Sequence, residues 1–584
     1  MAEMILPGVY IEVRPEGLIA PGQITVGNVG VVGTASKGPL SLPVLLASYT
    51  DAQRTFGTYD PFLNPDTGVA DPNALTLVRA LELIFNFGAT TVYAVRVADS
   101  SAAFAAKTLL SGANKCVTLT ANSTGTWANG LWASVTAKQA DVFVEDESVD
   151  KTKLKLLFPP QSTDPDPTKF TPSVRDRISV TKGGILIPLT IVTNTPTPGP
   201  QQVNMAKDGT LTFHAGLSPD TILASYVVDK ANTTRVVLNL GNLSEIYDVV
   251  DGNQLADLVN SLSAWATAST DDPNNPGKPL AGAGSLPSDI STQADGQFSP
   301  GQNGNAGAVY QDGLDALLNQ DVQIIVAAGQ DRSFGNKLDA HCQKASTDAI
   351  KRDRIAVVGT ELAEPNKPGD LPIDPNNQED TFFQKVLGHN LDSDRVILVA
   401  PGIKATDTST DPPEEVTLPG AYTAAAVAGL LASFPPHISL TNKTLPVDDL
   451  EVYWDDPHLS QLVQNRVLAI ENRQGFHVVK GITTTTGSAF AQITTRRIVD
   501  YAKYGVRSAA SPYIGLLNNE RVRGALRATL NSFLAGMVED EMLVSYDLSV
   551  TATRDDEIKG IANVTMTLQP TFSIDFIKVT MFLQ

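Results

Sequence analysis

The sequence predicts an α/β and α+β multidomain chain: a discontinuous α/β core built from the N- and C-terminal parts, interrupted by a mainly β insertion, with extended strand arms at both ends. Three observations carry this. A strand–helix–strand rhythm runs before residue 100 and resumes at Tyr310. Between them, from about Ser101 to Gly304, short alternating runs are separated by Pro, Gly, Asp and Thr clusters. Both ends of the chain alternate apolar and polar residues, the period of a strand with one buried face. With 584 residues the chain is too long for a single core.

Taken in order, PGVYIEVR at 7–14 sets Val9, Ile11 and Val13 against Tyr10, Glu12 and Arg14, placing a strand in an N-terminal arm, 1–20. Val26, Val29, Val31 and Val32 form a β-branched run that ends at Gly38-Pro39. Helical spacing covers Ala74 to Phe87 and stops at Gly88; Thr91 to Val97 is the next strand. The α/β domain therefore takes residues 21–100 and 305–444. In the insertion, 101–304, the strand patterns are Cys116–Thr120, Leu131–Ala137, Lys153–Phe158 and Ile185–Val192, closed by a helix over Gly252–Ala266. Residues 271–307 have almost no large apolar side chains and read as a mobile segment. Helices at Gln311–Asn319 and Asn336–Ile350 then alternate with strands at Val322–Ala328, Ile355–Gly359 and Arg395–Ala400, before a buried Ala-rich helix over Ala421–Phe434.

A C-terminal α+β domain spans 445–570. It holds helices at Leu459–Asn472, Ile498–Ser508 and Asn519–Val538, a strand at Phe476–Val479, and two alternating strands, Val544–Val550 and Val564–Leu568, joined through a polar turn at Arg554–Glu557. The last fourteen residues, 571–584, alternate at Phe572, Ile574 and Phe576, slip by one, and continue at Ile577, Val579, Met581 and Leu583. Only Asp575 and Lys578 are charged there, so an unpaired strand of this kind would aggregate unless its own sheet or another copy covers it.

Charge and chemistry narrow the function. A net charge of −20 and a pI near 4.7 argue against a nucleic-acid binder, whose surface must be positive. Cys116 and Cys342 alone cannot make a disulfide framework or a Cys-rich metal site. The N-terminus lacks a signal-peptide pattern, and the longest apolar run, Ala421–Phe434, is too short to span a membrane. Gly27 to Thr34 is rich in glycine but lacks the Gly-Lys-Ser/Thr ending of a phosphate loop, which favours close strand packing over nucleotide binding. There is no G-x-S-x-G elbow and no H-E-x-x-H pair; His341-Cys342 reads as packing, and Asp/Asn in 271–277 as a solvated loop rather than a Ca²⁺ site. The expectation is a protein that is not an enzyme and uses no cofactor or metal. One charge feature stands out: seven basic residues (Arg496, Arg497, Lys503, Arg507, Arg521, Arg523, Arg527) against Asp500 and Glu520, a local +5. This is either a solvated helix face or a positive patch that docks an acidic partner.

Pro7-Gly8-Val9-Tyr10-Ile11-Glu12, Gly30 to Pro39, Phe56-Gly57, Phe85 to Gly88 with Val92 to Val97, Ala121 to Gly130, Ala428-Gly429, Arg496-Arg497, Asn518-Asn519 and Pro570 follow one another in order. As an ordered set they resemble contractile tail sheath proteins of phages and phage-tail-like injection systems. The chain departs from that pattern near Pro435. The resemblance implies copies that form hexameric rings, stacked helically around an inner tube protein, with baseplate and tail-terminator or cap proteins as further partners. It implies contraction from a metastable extended state, terminal arms paired with neighbouring subunits, and a C-terminal-domain helix against the tube, for which the seven basic residues are candidates. The insertion would lie outside. Nucleic acid and membrane are not expected partners; assembly in the bacterial cytoplasm, within a phage tail or a tail-like particle, is. The competing readings are a static self-assembling shell protein and an α/β nucleotide-binding enzyme.

Overall fold

The computed structural model describes residues 26–112, 114–137, 139–271, 277, 298–363 and 381–582. The N-terminal strand residues Val9, Tyr10, Ile11 and Val13, and Leu583 at the other end, lie outside them. The chain divides into two compact units, residues 1–99 with 305–584, and residues 100–304.

The first unit is built on an eight-stranded sheet. Its spatial order is Pro43–Leu46, Val92–Arg96, Val29–Gly33, Ile324–Asp331, Ile355–Gly359, Val396–Ala400, Val467–Asn472 and Phe476–Val478. The six inner strands run parallel and the two outer ones antiparallel to their neighbours. The apolar runs are continuous because helices cover both faces. Val29, Val31, Ile324, Val326, Ile355, Val357, Ile397 and Val399 face one core, with helices Tyr49–Phe56, Leu77–Asn86 and Gly420–Ala432. Val32, Ile325, Ala356, Val358, Val396 and Leu398 face the other, with helices Tyr310–Leu317, Gly335–Ala345, Thr381–Leu387 and Asp456–Gln464. The Gly420–Ala432 helix is Ala-rich because it lies so close to the Leu77–Asn86 helix: a Cβ on Gly429 would fall 2.4 Å from the Ile84 carbonyl oxygen.

Three expectations about this unit are corrected. The pattern over Leu459–Asn472 is not one helix. The helix stops at Gln464, Arg466 turns the chain with φ of 65°, and Val467–Asn472 is a strand, since its apolar run is buried on both faces of the sheet. The sheet expected to end by residue 444 extends past it, through Phe476–Val478. The segment Arg554–Lys559 is a short helix, not a turn, held by a capping box between Thr553 and Asp556. The helix Tyr49–Phe56, N-capped by Ser48, was not predicted.

The C-terminal part packs helices Ile493–Ala510 and Glu520–Glu539 against a hairpin of Leu543–Thr551 and Asn563–Pro570 around Ile498, Leu526, Leu530, Leu534, Met537 and Leu548. The two helices touch where Gly505 leaves no room: a Cβ there would be 2.0 Å from the Phe533 ring.

The second unit is mainly β. It contains a six-stranded sheet, two three-stranded sheets and the helix Gly252–Leu262. The predicted helix over Gly252–Ala266 is shorter than expected because Ser263 leaves helical geometry, and Ala266–Thr270 is a strand. Lys153–Phe158 is not a strand; Lys155 makes only an isolated bridge to Thr210. The end of the segment expected to be mobile is ordered: Phe298 is fully buried in this unit's core, and Gln302 pairs with Ala103. The rest of it, 272–276 and 278–297, lies outside the described residues.

Candidate assembly surface

The C-terminal hairpin is a sheet of only two strands, and neither outer edge pairs with another strand of the described residues. One face rests on the Glu520–Glu539 helix through Leu543 and Leu548; the strand Asn563–Pro570 has no fully buried residue. Such a sheet has backbone donors and acceptors free on both sides, the geometry that accepts an added strand.

Directly after the hairpin the chain runs on as an arm without secondary structure. Over the described residues 571–582 the expected strand forms no ladder within the subunit. Phe572, Ile574, Phe576, Ile577, Val579 and Met581 are all exposed, as is Phe582, between 61% and 88%. Monomeric proteins rarely leave a run of this size uncovered. Burying seven such side chains would yield of order 10 kcal/mol gross, before the cost of ordering the arm.

The basic residues separate into two groups. Arg496 is buried and bonds Asp394 and Asp500, 3.0 and 2.6 Å away. Arg497 is buried and donates to the carbonyls of Val26, Phe434 and Pro435; burial pushes its guanidinium down to about 10. Lys503 and Arg507 both pair with the buried Asp353, which also lies 3.5 Å from Arg395. These four residues tie the Ile493–Ala510 helix to the strands and loops beside it, Arg496 and Arg497 from buried positions and Lys503 and Arg507 from partly exposed ones. Arg523 pairs with Glu557 at 3.0 Å. Only Arg521 and Arg527 are exposed with no ion pair among the described residues. The sequence showed the charges; it could not show their partners, which lie up to about 150 residues away along the chain.

The glycine-rich segment leads to a different place. In an open parallel sheet, ligands bind beyond the carboxyl ends of the strands where strand order reverses, here between Val29–Gly33 and Ile324–Asp331. That crevice is filled by the chain itself. Thr34 N–H donates to Thr76 Oγ1, Thr76 Oγ1 bonds Tyr310 OH, and Tyr310 OH donates to the Ala328 carbonyl. A Cβ on Gly33 would be 2.9 Å from Thr76 Oγ1. These glycines serve close packing. His341 and Cys342 are likewise both buried in the core, and no cluster of three or more metal-ligating side chains occurs among the described residues. No helix of the described residues is long and apolar enough to cross a membrane.

Comparison with known proteins bears on the same region. Residues 485–584, which hold both C-terminal helices, the hairpin and the arm, match the family model of the phage tail sheath C-terminal domain. Over the whole chain the fold is similar to that of a sheath tail protein from Desulfitobacterium hafniense (15% identity, 97% of this chain and 100% of that one, TM-score 0.52). It is similar also to one from Listeria innocua (13% identity, 95% and 94%, TM-score 0.54). No curated protein matches. The C-terminal part is thus similar to the tail sheath C-terminal domain, and the whole chain shares the multidomain α/β fold of those two sheath tail proteins.

Proposed function

We propose that this chain, with a tail sheath C-terminal domain on a sheath-type fold, is the structural subunit of a contractile sheath. The observation that carries the reading is an open-edged two-stranded hairpin followed at once by an exposed apolar arm, both inside the segment that matches the sheath domain. A subunit that both offers a strand and accepts one links to copies of itself without limit, and so builds a polymer.

On this reading, copies stack as hexameric rings around an inner tube protein within a phage tail or tail-like particle, and baseplate and cap proteins close its ends. The second unit faces away from the tube. Contraction runs from a metastable extended state to a lattice that buries more apolar surface. Each further ~1,000 Å² of apolar area buried per subunit would release about 25 kcal/mol gross, so no nucleotide is needed. Chemistry by the subunit forms no part of this reading.

Deleting residues 571–584 tests it. The truncated subunit is expected to stay folded and soluble, with unchanged far-UV circular dichroism, and to form no tubes in negative-stain microscopy. Normal tubes from the truncated chain would overturn the role of the arm. A static shell protein is separated by the full-length chain itself, which should yield tubes of two lengths and diameters rather than one.

A further inference from the structure

The arm is not free from its first residue. Thr571 N–H donates to the Met542 carbonyl at 3.1 Å, which continues the hairpin by one bond. Four residues later, Asp575 turns back onto its own subunit. Its carboxylate accepts from Gln492 Nε2 at 3.1 Å and lies 3.5 Å from Lys480 Nζ; Ser573 Oγ donates to its other oxygen at 3.1 Å. The Asp575 side chain is only 11% exposed, while the apolar residues on either side of it, Ile574 and Phe576, are more than 80% exposed. Lys480 also lies 5.1 Å from the Phe576 ring centroid, a cation–π contact. Past Phe576, no described residue of the arm has a hydrogen bond or ion pair to the rest of the chain.

The holding residues flank two elements of the first unit. Lys480 lies two residues beyond the edge strand Phe476–Val478, and Gln492 is the N-cap of the helix Ile493–Ala510. Gln492 gives no side-chain cap to its own helix; its amide is turned to Asp575 instead. A carboxylate beside a helix N-terminus also gains from the helix dipole. The arm is thus polar and clamped at one point and apolar and unheld beyond it.

We propose that Asp575, Lys480 and Gln492 form a clasp that keeps residues 571–576 on their own subunit, and fixes Phe576–Ile577 as the point from which Ile577–Phe582 passes to a second copy of this chain. The clasp is a positioning device. A six-residue strand leaving from a fixed point has a defined direction and register, whereas an arm free from Pro570 would search a larger volume and dock less often. It also keeps the link from being pulled back to the hairpin under load. The inference rests on the arm role proposed above.

Charge reversal and its swap provide the test. In Asp575→Lys, cleavage of the soluble subunit by chymotrypsin after Phe572 should speed up about fivefold, the scale of losing one partly buried ion pair, and tube formation should fall by at least as much. The swap Asp575→Lys with Lys480→Glu should restore both. A tube yield equal to the unmodified chain in Asp575→Lys overturns the proposal, as does unchanged cleavage after Phe572. A separate variant that ends at Phe576 keeps the failures apart: if it still forms tubes, the arm role itself fails, whatever the clasp does.

Discussion

His341 shows how a single side chain can tie this fold to pH. It is buried against Arg354, whose guanidinium lies 3.0 Å from Nε2 and donates to it, so the ring is held neutral with its proton on Nδ1. Burial first, then the adjacent Arg354 charge, push the imidazole down to about 4. A histidine lowered in the folded state contributes stability above its ordinary value of 6.5, and that contribution is lost as pH falls toward 4. The difference is worth up to about 3 kcal/mol. Urea midpoints of the soluble subunit should drop between pH 7 and pH 4.5, and His341→Gln should flatten that drop. At the same scale, Arg79 and Asp407 form an ion pair at 2.9 Å with both side chains almost fully buried, and Arg79 also stacks over the Tyr59 ring. Asp407→Ala would strand the guanidinium in the core and should cost about 3–5 kcal/mol in denaturant unfolding.

Between elements, the decisive contacts are the close ones. Gly505 lets the Phe533 ring lie against the Ile493–Ala510 helix, so Gly505→Ala forces the two helices apart and should destabilise the subunit by about 1–3 kcal/mol. Gly536, on the neighbouring helix, has open space where a Cβ would go. Gly536→Ala should instead raise the midpoint, by about 0.5–1 kcal/mol, through helix propensity alone. Thermal or urea unfolding of the pair reads both signs in one experiment.

Element identity was legible where one periodicity dominated. Ile355–Gly359 and Val396–Ala400 are short apolar runs flanked by polar residues, and Asn519 caps the helix that follows it with its own side chain. Legibility failed where a helix and a strand abut without punctuation. In QNRVLAIEN neither Gly nor Pro marks the change, and only the positive φ of Arg466 makes it. It failed again for the basic residues, because local charge density does not show which carboxylates the fold will bring to them. Asp353 meets Lys503 and Arg507 across the whole C-terminal part of the chain. Lys480 and Gln492 had no signal at all, since their partner Asp575 is more than 80 residues away.

At the scale of the molecule, a net charge of −20 keeps free subunits apart, while Arg521 and Arg527 remain as exposed positive points on the long helix. If the proposed inner tube protein docks there, reversing both to Glu should weaken co-sedimentation with it, and more so at low ionic strength, while leaving unfolding midpoints within about 0.5 kcal/mol. Unchanged co-sedimentation would return them to a solvated helix face. Reversing Lys503 and Arg507 should do the opposite, lowering the subunit's own stability by breaking the pairs with Asp353.

The second unit enters the first at Asp99 and returns at Asn305, and two turns of chain on either side are stitched together there: Gly307 N–H donates to the Asp99 carboxylate at 2.9 Å. To the eight-stranded sheet of the first unit, some 200 residues are therefore one loop with its ends already joined. Closing a loop costs only slowly more as it lengthens. The stretch between those two residues should therefore behave as a cassette: replacing it with a short linker is expected to leave the first unit folded, with its unfolding midpoint unchanged in urea.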